Sequence, residues 1–100
     1  MNIQRRQAEY IKFSILIALE DGTSQSFGDL VDRVKFLLNK PGQGQHDQFY
    51  YNVSVVIGQW CRDEKGYVED SAINSDLPTG HWKITPKGEE FRNILRQLLS

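Results

Sequence analysis

Apolar side chains at Ala8, Ile11, Ile15, Ala18 and Leu19 recur every three or four residues, which predicts a helix over roughly Gln4 to Glu20. Phe13, Leu16 and Ile17 extend its greasy surface around the cylinder, so it must be enclosed by its own domain or by a second chain. The run "DGTSQS" ends it, with Gly22 in a C-cap role and Ser24 or Ser26 as the next N-cap. A second helix follows over about Phe27 to Asn39, with Phe27, Leu30, Val31, Val34 and Leu37 or Leu38 turned inward. Pro41 and two glycines in "NKPGQGQ" break it, and this stretch reads as a mobile loop. The third helix is expected over about Asp47 to Asp63, opened by Asp47 or His46 and closed by Gly66.

Beyond Gly66 the period changes. "YVEDS" and "HWKIT" are short strand candidates joined by a turn-rich segment that contains Asn74, Asp76, Pro78 and Gly80. Trp82 and Ile84 share one face of the second strand, leaving Lys83 on the other. Thr85 is a natural N-cap, Pro86 suits the first helical position, and Glu89 and Glu90 favour the positive end of a last helix. That helix carries the stripe Phe91, Ile94, Leu95 and Leu98. Three helices, a two-stranded hairpin and a C-terminal helix give an α+β, mostly helical chain in the order of a winged helix-turn-helix, one domain over residues 1–100. The hairpin is the wing, and the third helix is the one such a fold lays in a groove.

The segment "FYYNVSVVIGQWCRDEKGYVED" followed by "GHWKITPKG" resembles the third helix and wing of winged-helix proteins. It is most similar to the N-terminal domain of Mrr-type restriction proteins, where a helix of the form F-x-N-x-V precedes a glycine turn, a short strand and W-x-[LI]-T-x-x-G. PadR- and MarR-like transcriptional regulators share that ending. The matching residues are Phe49, Asn52, Val53, Gly66, Trp82, Ile84, Thr85 and Gly88, within a resemblance spanning roughly Phe13 to Glu90. Families with this ending are mostly DNA-binding, so the resemblance implies duplex DNA as the partner. The chain departs from them in its poorly charged wing, and no nuclease domain accompanies it in these residues.

Charge qualifies that expectation. Twelve Lys and Arg against thirteen Asp and Glu give a formal net charge of −1, whereas phosphate neutralisation normally asks for a basic excess. Any positive patch must come from uneven distribution. A single cysteine, Cys61, permits no internal disulfide and no cysteine-based zinc site, which fits a reducing cytoplasm. The N-terminus does not read as a signal peptide, and no apolar run is long enough to span a membrane. Neither His46 nor His81 has metal-ligand spacing or a nucleophile beside it, and "PGQGQ" lacks the Lys-Ser/Thr of a phosphate loop. No catalytic constellation, cofactor or metal is expected.

Winding the third helix at about 100° per residue gathers Phe49, Val53, Val56, Ile57 and Trp60 on a core face. Opposite lie Gln48, Tyr51, Asn52, Val55, Gln59 and Arg62, with Cys61 adjoining the core side. Amides pair bidentately with adenine, arginine with guanine, and tyrosine reaches phosphate. The candidate DNA contacts are therefore Gln48, Tyr51, Asn52, Gln59 and Arg62, supplemented by His81 and Lys83 in the wing and Lys87 at the last helix. Arg33, Lys35 and Lys40 are further candidates for phosphate, while Asp76 at the wing tip would repel it. A solvated polar surface explains the same helix face, and Val55 with Gly58 leaves room for a protein partner instead. The first and last helices are expected to form a homodimer.

Overall fold

The computed structural model describes residues 4–19, 22, 24–70 and 81–99, the last without its side chain. Helix α1 spans Arg5–Ala18 and buries Ala8, Ile11, Ile15, Leu16 and Ala18. Leu16 is buried as fully as Ile15, and Phe13 and Ile17 are half-buried, so the apolar cylinder is enclosed mainly by its own domain. Tyr10 is left exposed. The chain stops the helix with Gly22, whose φ is 75° and whose N–H donates to the Leu19 carbonyl.

A short strand that the pattern did not predict, β1 (Gln25–Ser26), comes next. Two residues are too few to display alternation, and Ser26 doubles as the N-cap of α2 (Phe27–Leu37), its hydroxyl accepting from the Asp29 N–H. Phe27, Leu30, Val31 and Val34 face the core as expected; of the two leucines that follow, Leu38 packs against it and Leu37 is exposed.

Helix α3 (Gln48–Val55) begins at Asp47, whose Oδ1 accepts from the Tyr50 N–H at 3.0 Å. From Val56 to Asp63 the chain stays helical but switches to π-type bonding, closing with the Glu64 N–H on the Gln59 carbonyl. A π turn holds more residues than an α turn, so each residue advances through a smaller angle. Cys61, at the edge of the core face under α winding, is thereby turned fully into it, and Trp60 is left half-buried.

Strands β2 (Val68–Asp70) and β3 (His81–Ile84) run antiparallel, with Val68 opposite Ile84. Strand β1 pairs with the other edge of β3, Gln25 opposite Trp82. The expected two-stranded hairpin is thus part of a three-stranded antiparallel sheet in the order β1-β3-β2. Trp82 and Ile84 point into the core and Lys83 out of it. The connection carrying Asn74, Asp76 and Pro78 lies outside the described residues.

Helix α4 (Pro86–Leu99) is anchored by Thr85. The Thr85 hydroxyl accepts from the Gly88 N–H at 3.1 Å and donates to the Gly66 carbonyl at 2.7 Å, tying the helix start to the end of the third helix. Phe91 stacks on Tyr67 with 4.5 Å between ring centres. Of the stripe expected on α4, Phe91 and Leu95 are half-buried, whereas Ile94 and Leu98 are exposed. The architecture is α+β and mostly helical, with helices packed around one core beside the small sheet. Among the described residues no helix is long and apolar enough to cross a membrane.

Candidate nucleic-acid interface

The outer surface of α3 is built from neutral polar and aromatic side chains. Gln48 and Tyr51 are exposed in its first turn, Ser54 follows, and Gln59 is exposed on the π-helical segment. An aromatic set steadies the start of the helix. The His46 ring stacks on Tyr50 with 4.2 Å between centres, and Tyr50 meets Phe27 and Tyr51 edge to face. Pattern reading passed over this set because only its spacing at the helix start, His46 against Tyr50, hinted at a stack.

Asn52 requires a correction. It is only 9% exposed, and its Oδ1 accepts a hydrogen bond from the Gln48 amide at 3.0 Å. At about 100° per residue it lies only about 60° from Phe49, on the flank of the core face rather than opposite it. Its role here is to hold the Gln48 side chain. Val55 and Gly58, also expected to face outward, are half-buried.

Arg62 is separated from the other residues of the third helix. Its guanidinium lies over the Trp82 ring of β3 at 5.5 Å and its Nε donates to Asp63 at 2.9 Å. The π segment turns it towards the sheet, where it remains 41% exposed. It stands at the junction of helix and hairpin, with its charge partly answered by a neighbour.

The candidates on β3 and α4 are similarly dispersed. Lys83 is exposed on β3, with its ammonium 3.9 Å from Glu69 across the strand pair. His81 is half-buried and lines a polar groove of about 550 Å³ with Ser26, Asp29, Asp32 and Arg33. Lys87 is exposed in the first turn of α4. Lys65, which no motif singled out, is exposed between the third helix and β2.

Of the three additional phosphate candidates, Arg33 donates to the Ala18 carbonyl at 3.2 Å while keeping an exposed surface. Lys40 lies over the Phe49 ring at 5.8 Å and is also exposed. Lys35 is no candidate at all: its side chain is 0% exposed and its ammonium is spent on the loop before α3. The loop expected to be mobile is therefore tied to α2. The sequence signal was present, since Lys35 shares a helical stripe with Val31 and Leu38 and precedes a glycine-rich run.

Two titrations bear on the site. The backbone N–H of Tyr50 and, secondarily, the Lys35 ammonium hold the Asp47 carboxyl below its ordinary value. Burial pushes the Cys61 thiol up to about 12, which removes it from nucleophilic chemistry near neutral pH. Among the described residues no group of His, Cys, Asp and Glu is arranged to hold a metal ion. No family model, curated protein or solved structure matches the chain.

Proposed function

We propose that the chain is a winged-helix protein that binds duplex DNA, with α3 in the major groove and the β2–β3 hairpin beside it, acting in the cytoplasm as a transcriptional regulator. The observation that carries this is topological. The elements run α1-β1-α2-α3-β2-β3-α4, the strands are ordered β1-β3-β2, and the third helix leaves Gln48, Tyr51, Ser54 and Gln59 exposed while its π-helical end packs against β2. Gln48 and Gln59 offer amides to base edges, and Tyr51 offers a hydroxyl to phosphate. Arg62 over the Trp82 ring, Lys83 on β3 and Lys87 at the start of α4 supply the positive charge, and His81 offers a ring nitrogen. A homodimer through α1 and α4 fits the exposed Tyr10, Ile94 and Leu98.

The test compares the wild type with Arg62→Ala for binding to duplex DNA at low salt. Affinity falls several-fold in the variant, while its cooperative unfolding shifts by less than about 1 kcal/mol, since a half-exposed cation–π contact and ion pair contribute little. Unchanged affinity removes Arg62 and the junction it occupies from the interface.

A second reading is favoured by a specific observation. The best-placed cations already have acidic neighbours, Asp63 for Arg62 and Glu69 for Lys83, while Phe36 is 77% and Leu98 75% exposed. A winged-helix module that binds protein rather than DNA would use such a surface. Absence of duplex binding at any salt concentration removes the first reading, and recovery of a protein and no DNA on the immobilised chain supports the second.

A further inference from the structure

Lys35 sits in the last turn of α2 with its whole side chain removed from solvent. Its Nζ donates to the Gly42 carbonyl at 2.6 Å, the Gln45 carbonyl at 3.0 Å and Asp47 Oδ2 at 3.2 Å, which uses all three donors of an ammonium. Burial of that charge is tolerable only because every donor is answered. The backbone is shaped to supply the acceptors. Asn39, Gly42 and Gly44 adopt φ values of 56°, 88° and 80°, and a Cβ on Gly42 would stand 2.9 Å from Asp47 Oδ2. Asp32 closes the other side by accepting from the Gly44 N–H at 2.8 Å. Asp47 is shared: Oδ2 meets the ammonium while Oδ1 caps α3 through Tyr50.

We infer that Lys35 is the positioning residue of the third helix: its ammonium gathers the 42–47 loop and, through Asp47, fixes where α3 begins and how Gln48 and Tyr51 are presented. A cation on α2 thus sets the geometry of a face it never reaches. The DNA-binding proposal enters only in naming the partner that this face meets.

The experiment uses the full chain with Lys35→Met, which keeps the stem and removes the charge, and Asp47→Asn, which keeps an Oδ1 acceptor and removes the ionic contact. Amide hydrogen exchange is read at Tyr50 and Tyr51, against Ile15 and Leu16 in α1 as internal controls. Losing a hydrogen bond to a charged group predicts exchange faster by about tenfold or more at the start of α3, with the α1 amides unchanged. Asp47→Asn also weakens the cap that Tyr50 bonds directly, so in that variant the question is read at Tyr51, whose N–H donates to the Asp47 backbone carbonyl; faster exchange there supports the inference if Lys35→Met does not fold. Unchanged exchange at Tyr50 and Tyr51 in folded Lys35→Met, or at Tyr51 in folded Asp47→Asn, overturns the inference.

Duplex binding supplies the second readout. A positioning lysine lowers affinity with the slope of log K against log salt unchanged. A phosphate-contacting lysine flattens that slope by about 0.9, and that result overturns the inference as well. If the wild type binds no duplex, the proposed function fails, and the exchange measurement alone decides the role of Lys35.

Discussion

Gly88 shows how a single position serves the shape rather than the reading of a partner. A Cβ there would run into the backbone carbonyl oxygen of Tyr67, just before β2, and the Ile84 side chain of β3. Gly88→Ala is therefore expected to lower stability by about 3 kcal/mol or more, the upper end of overpacking, because backbone must move to admit the methyl group, measured by urea unfolding. The same logic covers the rest of the motif that carries the family resemblance. Trp82 and Ile84 fill the core, and Thr85 caps α4 while binding Gly66. These residues build the junction of hairpin and helix, which is why the resemblance speaks to architecture more than to a bound partner. Cys61 gives a second test. Its thiol is held up to about 12 by burial, against an ordinary 9.0. Above pH 9 an unfolded thiol loses its proton while the native one keeps it, so stability declines as pH rises from 9 towards 12. The decline is at most about 1.4 kcal/mol per pH unit from this group. The thiol is correspondingly expected to resist alkylation at pH 8 until the protein is unfolded; rapid labelling of the native state contradicts its burial.

The third helix carries one residue more than a continuous α-helix needs, and Gly58 is the place to remove it. Deleting Gly58 returns the following residues to α winding with Cys61 still directed inward. The deletion is expected to keep cooperative unfolding at a cost below about 3 kcal/mol, the range of ordinary single changes, with Cys61 still protected. Loss of folding, or an exposed thiol, would show that the π segment is required. Helices α1, α2 and α4 were legible because their apolar residues recur at three and four and their ends carry Gly22, Ser26, Thr85 and Pro86. The π segment was not, since Val56, Ile57 and Trp60 suit the core face under α winding and the surplus shows only in hydrogen bonding. Strand β1 was hidden by its length, its two residues sitting where a cap was expected. The candidate site was legible for Gln48, Tyr51 and Gln59, which are exposed. It was misjudged for Asn52 and Lys35, because a polar or charged residue was taken to face water, although each had a partner ready inside.

With a net charge of −1, the chain has no overall positive charge to draw it to nucleic acid, so the proposed binding rests on a few local cations. Arg62 at the end of the third helix, Lys83 on β3 and Lys87 at the start of α4 are the cations in question, and the first two have carboxylates nearby. The apolar surface is also unevenly spread, with Tyr10 on α1 and Ile94 and Leu98 on α4. If those helices join two copies, sedimentation of the wild type gives a dimer that Leu98→Asp shifts to monomer; a wild-type monomer at all concentrations contradicts the homodimer. The measurement that bears most directly on the central proposal is fluorescence anisotropy of a labelled mixed-sequence duplex, titrated with the wild-type protein across a salt series. Three phosphate-directed cations predict binding at low salt with a log–log slope of about −3 per protomer. No binding even at the lowest salt contradicts the DNA-binding proposal.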